Sequence, residues 1–571
     1  MYIRKERDIF FYLLIIILSL AFSTWLMFHT FSYDAQSHTI RIAFRLWSDF
    51  SAHIPLIRSF SMSDNLTNFF RGRVVYPIYS GEPIRYHFLF DMMVGILEKI
   101  GIRIDWALNI PSILGFSLLL IAIYSLAISL FDSIPIALLS VAFFLFNGSL
   151  SFLRFFQIHP LSPSTPYDIA SAREFPAFAP WGPGLVSAFW NLNIYTNQRH
   201  LALVFGILLW FIFVVVSAKQ QSKSHQFQSA ILWGFVFGIF PYFHPPSLII
   251  FAIFLICYFL LYPKRRIFLF TVAAVSLLVA IPQLLSMPGR ASSIEWYPGW
   301  IIHNELFAER NMFRAITLFL NFWWQNIGIH GLLILLGFFM VPKKARLAII
   351  PVIPLFILAN LLKISVEATA NHKFFNFILI VGQMLSAYVL VWFWTFFSSR
   401  RFHSFIRLFV YSLICLFVSL LTLSGIIDFF VVKNDIIGTL PDWQTNEAAL
   451  WIAKITPKNA IFLNSTYLYN PASIVGRPIY LGWPYFAWST GYVGNRFEML
   501  KTIYEAKDSN ILCPFVQENH ISYITVEDTH GDINLPNIDV SYYFSRFRPS
   551  YANTDKTYGI FSTDVLCPPK K

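Results

Sequence analysis

Phe11-Tyr-Leu-Leu-Ile-Ile-Ile-Leu-Ser-Leu-Ala-Phe-Ser-Thr-Trp-Leu-Met-Phe-His-Thr30 decides the class of this protein. An apolar run of about 20 residues is what a helix needs to cross a hydrocarbon core of about 30 Å. Arg4, Lys5 and Arg7 precede it. The run is too long for a signal-peptide core, and no small-residue cleavage site follows it. It reads as a first membrane span with its N-terminus in the cytoplasm.

The rest of the chain repeats this pattern. Of 571 residues, 56% are hydrophobic and 18% aromatic, and only 13% are charged, about half the charge of a soluble domain. Further apolar blocks lie near 106–131, 134–152, 200–217, 229–244, 246–262, 267–285, 325–341, 347–363, 374–397 and 408–430, giving about eleven spans. The net charge of +12 does not indicate a nucleic-acid partner, because the basic residues are not gathered in one domain. They fall in short clusters between apolar blocks, as topology signals do. Lys219 and Lys223, the Pro-Lys-Arg-Arg of 263–266, the Pro-Lys-Lys-Ala-Arg of 342–346, and Arg400, Arg401 and Arg407 all fall in alternate, short connections. The positive-inside rule assigns those connections to the cytoplasm. Every long loop, at 32–105, 153–199, 286–324 and 363–373, then lies outside with the tail.

The expected architecture is an all-α polytopic membrane domain over 1–432 with a small extracytoplasmic α/β domain over 433–571. In the tail, 446–454 has the pattern of a helix, and 460–464 and 522–526 that of strands. In the first outer loop, 45–60 and 86–100 mix apolar and polar residues at helical spacing and read as two helices along the membrane surface. Cys257 and Cys415 lie in apolar runs. Cys513 and Cys567 each sit in a Leu-Cys-Pro triplet and are able to pair in an oxidising compartment; spacing leaves that open.

Ionisable groups at a membrane are costly and mark candidate sites. Here they collect on the outer side: Asp34, Asp49, His53, Arg85, His87 and Asp91 in the first loop, Arg199-His200, His244 before two prolines, Glu367, and His372-Lys373. Asp49 and His53 are four residues apart and share a helix face. Such a pair can deprotonate a hydroxyl or hold a divalent metal, or simply cap and solvate a surface helix. Asp34 reads equally as a turn residue and Asp91 as a solvated one. Arg199-His200 and His372-Lys373 offer donors to a phosphate headgroup, or anchor span ends by snorkelling.

The layout resembles the GT-C superfamily of membrane glycosyltransferases, which includes protein mannosyltransferases and lipid A aminoarabinose transferases. At residue level the resemblance rests on Trp47-Ser-Asp49-Phe-Ser-Ala-His53, Tyr86-His87 and Asn197-Gln-Arg-His200. Gly476-Arg-Pro-Ile-Tyr-Leu-Gly-Trp483 and Gly491-Tyr-Val-Gly-Asn-Arg496 are similar to the tails of bacterial and archaeal membrane proteins grouped with these enzymes. They read either as aromatic packing or as an acceptor site. One departure is the lack of the Asp-x-Asp or Glu-x-Asp pair common in that loop.

The resemblance implies sugar transfer from a polyprenyl-phosphate donor to a glycan, lipid or protein acceptor outside the cytoplasm. Asp49 would be the base, with His53 and Asp34 as further catalytic candidates. Arg85, His87, Arg199, His200, His244, Glu367, His372 and Lys373 would bind substrate; metal ligands are not specified. The alternatives are a flippase for a lipid-linked saccharide and a non-catalytic envelope-polymer assembly protein. The flippase is disfavoured because few ionisable residues fall inside the spans.

Overall fold

The computed structural model describes residues 6–177, 184–186, 189–217, 223–286, 294–398 and 403–568. Arg4, Lys5, Lys219, Arg400 and Arg401 lie outside these. The chain is mainly helical and divides into two compact units. One unit holds the chain up to His29, Ser112–Ile281 and Ser292–Ile436; the other holds Thr30–Pro111, a short stretch from Pro282, and everything from Ile437 on.

Seven described helices have the length and composition to cross a membrane: Ile9–Thr30, Ile104–Phe131, Arg199–Ser217, Pro263–Leu285, Lys343–Leu361, Ala368–Phe397 and Ser404–Lys433. The chain is therefore a multi-pass integral membrane protein. The other expected spans are also helical, with a different geometry. Met312–Ile327 and Ile329–Met340 pass the same test only as a pair bent by 94°. The bend falls at Gly328, whose φ of 61° lies in the left-handed region that glycine adopts without steric cost. Lys223–Gly238, Ile134–Leu145 and Pro245–Leu261 are helices of 16, 12 and 17 residues, shorter than the roughly 20 that a perpendicular crossing takes. Among the described residues, seven helices, or eight counting the bent pair as one span, thus meet the length and composition of a crossing, against the eleven apolar runs expected.

Within the first unit the helix Ala368–Phe397 is almost wholly enclosed by neighbours, whereas Ile9–Thr30 keeps most of its surface outward. The polar side chains in this apolar unit find one another. Gln383 Nε2 donates to Asn147 Oδ1 at 2.5 Å, and Asn191 Nδ2 to Asp428 Oδ2 at 3.1 Å.

The second unit begins with the hairpin Phe31–Asp34 and Thr39–Ala43. Ile437–Pro441 adds to its second strand, antiparallel, to make a three-stranded sheet. A second sheet, of four strands, runs in the order Ile461–Leu463, Ile521–Glu527, Tyr558–Ser562, Tyr551–Ala552, with the first pair parallel. The helix expected at 446–454 is Glu447–Ile455, and Asn446 caps it by accepting from the Ala449 N–H at 3.0 Å. The helices expected in the first loop are Trp47–Ser61 and Leu89–Lys99. They pack on each other, and the first buries Phe50, Ile54, Leu56, Ile57 and Phe60.

Arg58, 1% exposed, is the polar centre of this unit. Its Nη1 lies 2.6 Å from Asp442 Oδ1 and donates to the Ile474 carbonyl at 2.9 Å, while Nε reaches Glu98 Oε1 at 3.2 Å. Burial by itself lowers the pKa of the guanidinium; Asp442 and Glu98 outweigh that and raise it. Gly476 crosses the same point with φ of 70°, and a Cβ there would lie 2.3 Å from the Arg58 carbonyl carbon. Gly476→Ala therefore meets both left-handed strain and a backbone clash. It is expected to cost about 2 kcal/mol or more, measured as a fall in thermal midpoint in detergent.

Cys513 and Cys567 are joined by a disulfide, with Cα atoms 5.4 Å apart and a separation of 54 positions in sequence. Closing a loop of that size removes chain entropy worth roughly 4 kcal/mol from the unfolded state. Reduction, or Cys513→Ser with Cys567→Ser, should lower the midpoint of the C-terminal segment; an unchanged midpoint would contradict the pairing.

Candidate functional site

In the second unit the Trp47 helix places Asp49 in its first turn and His53 one turn later. His53 Nδ1 lies 3.2 Å from Asp91 Oδ1. Asp91 comes from the other helix, 38 positions on, and is 3% exposed. A carboxylate accepting from Nδ1–H fixes the tautomer and leaves the other ring nitrogen as the acceptor. Spacing had paired His53 with Asp49 and left Asp91 open between a site residue and a solvated one. The packing of Leu89–Lys99 on Trp47–Ser61 turns Asp91 inward.

Tyr86 packs on this pair, its ring centroid 6.4 Å from His53 and 3.9 Å from the buried His87. Burial first, then the charges of Asp91 and Asp49, push its hydroxyl pKa far up. Tyr469 behaves alike, raised by burial and then by Asp49; its ring lies 4.8 Å from Trp47 and its hydroxyl donates to the Trp47 carbonyl. Asp49, half-buried, is thus near enough to both tyrosines for its charge to be felt by each.

Two other first-loop candidates have structural partners. Asp34 Oδ1 accepts from the backbone N–H of Gln36 at 2.9 Å and of Ser37 at 3.4 Å, closing the hairpin turn. The Gln36 bond leads in holding its pKa below the usual carboxylate value, which makes it a weaker base. Arg85 Nη1 donates to the Gly491 carbonyl at 2.8 Å, and its guanidinium lies 4.6 Å over Tyr492. Tyr492 in turn stacks on Tyr76 and Tyr79, while Arg496 sits between Tyr79 and Tyr480, 3.7 and 4.7 Å from their centroids. The Gly491-to-Arg496 motif is a packed cation–aromatic ladder.

The first unit holds the other candidates at helix starts. Arg199 and His200 open Arg199–Ser217. Arg199 Nε donates to the Thr196 carbonyl at 3.2 Å and Nη2 to the Met27 carbonyl at 3.3 Å, capping the end of the first span. The prolines after His244 force that residue into extended geometry, with φ of −169°. The break seats its ring 5.2 Å from His200, with Nδ1 2.6 Å from Ser247 Oγ. His372 and Lys373 open His372–Phe397. His372 stacks on Phe189 at 4.5 Å and accepts from Asn376 at 3.1 Å. Glu367, at the turn before, is close enough to attract Lys373. Phe377 touches Phe205 and Phe254, at 5.4 and 5.5 Å, so the helices begun by these histidines pack together. Helix N-termini carry partial positive charge and favour anions.

Sequence reasoning missed Asp428, 2% exposed in the last span and bonded to Asn191. A lone acid near the end of a 30-residue apolar helix was the available signal. Among the described residues no three His, Cys, Asp or Glu side chains form a metal-holding group.

No family model and no curated protein matches this sequence. Among solved structures, the chain is similar to the archaeal oligosaccharyltransferase AglB from Archaeoglobus fulgidus in complex with an inhibitory peptide and a dolichol-phosphate. The TM-score is 0.50 and the identity 12%, over 92% of this chain and 70% of that one. The same enzyme tethered to an acceptor peptide containing the NVT sequon gives a TM-score of 0.52 at 12% identity, over 96% and 74%. The likeness is one of fold: this chain shares the architecture of that oligosaccharyltransferase. Its first loop and C-terminal segment fall in a single compact unit.

Proposed function

We propose that the protein is a glycosyltransferase that moves a sugar from a polyprenyl-phosphate donor to an acceptor outside the cytoplasm. The observation that carries this reading is the placement of half-buried Asp49 one helical turn before His53, which pairs with Asp91, in a fold shared with an oligosaccharyltransferase. Asp49 takes the proton of the acceptor hydroxyl as its oxygen bonds to the anomeric carbon. The bond from that carbon to the phosphate oxygen breaks, and polyprenyl phosphate leaves. The His53–Asp91 pair positions the acceptor. In the first unit, His200, His244, His372 and Lys373 stand at helix N-termini that favour an anion such as a phosphate; Arg199 holds the frame. The N-terminus is cytoplasmic and the C-terminal segment extracytoplasmic, as the Cys513–Cys567 disulfide supports.

The test is transfer from labelled polyprenyl-phosphate sugars by the full chain in proteoliposomes, with donor binding read separately. His244→Ala with Lys373→Met should raise the donor KM about tenfold or more, since each hydrogen bond to a charged group is worth roughly 1.5–3 kcal/mol. Polyprenyl phosphate should raise the thermal midpoint of the wild type and not of this variant. Equal stabilisation of both would remove the phosphate assignment.

A further inference from the structure

The helix Trp47–Ser61 starts without a side-chain cap. Leu46 holds the N-cap position and, being apolar, offers the first turn no acceptor. A turn left in that state frays readily, yet this one carries Asp49 and sets where its carboxylate points. Two parts of the C-terminal segment close on it instead, both through Trp47. Tyr469, 7% exposed, donates its hydroxyl to the Trp47 carbonyl and sets its ring edge-on to the indole, with centroids 4.8 Å apart. Gly438, in the strand Ile437–Pro441, lies so close to the indole that a Cβ there would come 2.6 Å from Trp47 Cζ3. Other holds on this helix fall further along it. Arg58 Nη1 donates to the Ile474 carbonyl, and Ser63, just past the helix end, donates to the Lys458 carbonyl.

We propose that Tyr469 is a positioning residue for Asp49. Its hydroxyl on the Trp47 carbonyl, with its ring and Gly438 against the indole, fixes the first turn of the helix and with it the direction of the carboxylate. The effect on rate rests on the transferase reading; the anchoring stands separately. A carbonyl oxygen has two lone pairs. In the helix that of Trp47 accepts the N–H four residues on, from Ser51, and the Tyr469 hydroxyl takes the other. Trp47 therefore leaves the turn only by giving up both bonds and its ring contacts. Because the contact is nearly closed to solvent, a hydroxyl removed there leaves the carbonyl without a water to replace it. Arg58 and Ser63 act at the far end of the helix, so their contacts hold the helix in place without setting this turn.

The experiment uses the full chain in nanodiscs and reads two quantities. Hydrogen exchange, resolved by mass spectrometry, follows the amides of residues 50–53, whose helical bonds close the first turn, beside those of 57–61 at the far end. Transfer from labelled polyprenyl-phosphate sugars gives kcat and KM. Tyr469→Phe keeps the ring and removes the hydroxyl. It should speed exchange of the first set about three- to tenfold and lower kcat by a similar factor at unchanged KM. The second set and the thermal midpoint should stay as in the wild type. Ser63→Ala, which cuts a contact beyond the helix, should leave the first set unchanged. Unaltered exchange in Tyr469→Phe, or faster exchange along the whole helix, would overturn the anchoring. Faster exchange of the first set with the wild-type kcat would overturn the positioning role. A wild type that transfers no sugar would overturn the transferase reading and with it the effect on rate, while exchange alone decides the anchor.

Discussion

Asp49→Asn should lower the rate of sugar transfer by about 10²–10⁴-fold, the usual contribution of a general base, while the protein inserts and melts as the wild type does. The substitution keeps the shape of the side chain and removes only its ability to take a proton. Asp49 sits in the first turn of Trp47–Ser61, where a carboxylate favours the helix dipole by about 0.3–1 kcal/mol, so the stability change is small. His53→Gln should cost less than Asp49→Asn, because it removes a positioning group. The measurement is single-turnover transfer in proteoliposomes with saturating donor. Full activity in Asp49→Asn would move the base to the His53–Asp91 pair, and Asp91→Asn would then show the large loss.

Arg58→Met should destabilise the protein by about 3–5 kcal/mol, the range seen when one member of a buried ion pair is removed. The side chain is 1% exposed and serves Asp442 at 2.6 Å, Glu98 at 3.2 Å and the Ile474 carbonyl at 2.9 Å. Methionine fills much of the volume and leaves Asp442, 2% exposed, with a buried charge that has lost its cation. Arg58→Met with Asp442→Asn should recover part of the loss by removing that charge. Thermal unfolding in detergent, compared across the two variants, decides it. A loss under about 1 kcal/mol in the single variant would mean that apolar packing, and not the ion cluster, holds these segments.

The two variants bear on different parts of the molecule's legibility. Trp47-Ser-Asp49-Phe-Ser-Ala-His53 was recognisable as a candidate from spacing and composition. Its proper partners were not. Asp91, Tyr86 and Tyr469 reach it from positions far apart in sequence, and periodicity carries no information on such pairings. The Gly491-to-Arg496 motif was equally visible, yet its two readings were separable only once Arg85, Tyr79 and Tyr480 were seen packed around it.

Sequence alone determined that the chain lives in a membrane, because a run such as 11–30 has no other stable solvent for its side chains. It also determined that the ionisable residues collect at helix ends, because charge is costly within the bilayer core. Tertiary structure decided the geometry of the shorter apolar runs, since a 94° bend at Gly328 divides one helix pair and the prolines after His244 open a helix of only 17 residues. It alone decided that residues 39–43 pair with residues 437–441 and that Arg58 joins Asp442. Strand pairing and buried ion pairs are contacts between distant residues, and their free energy exists only after the chain has brought those residues together.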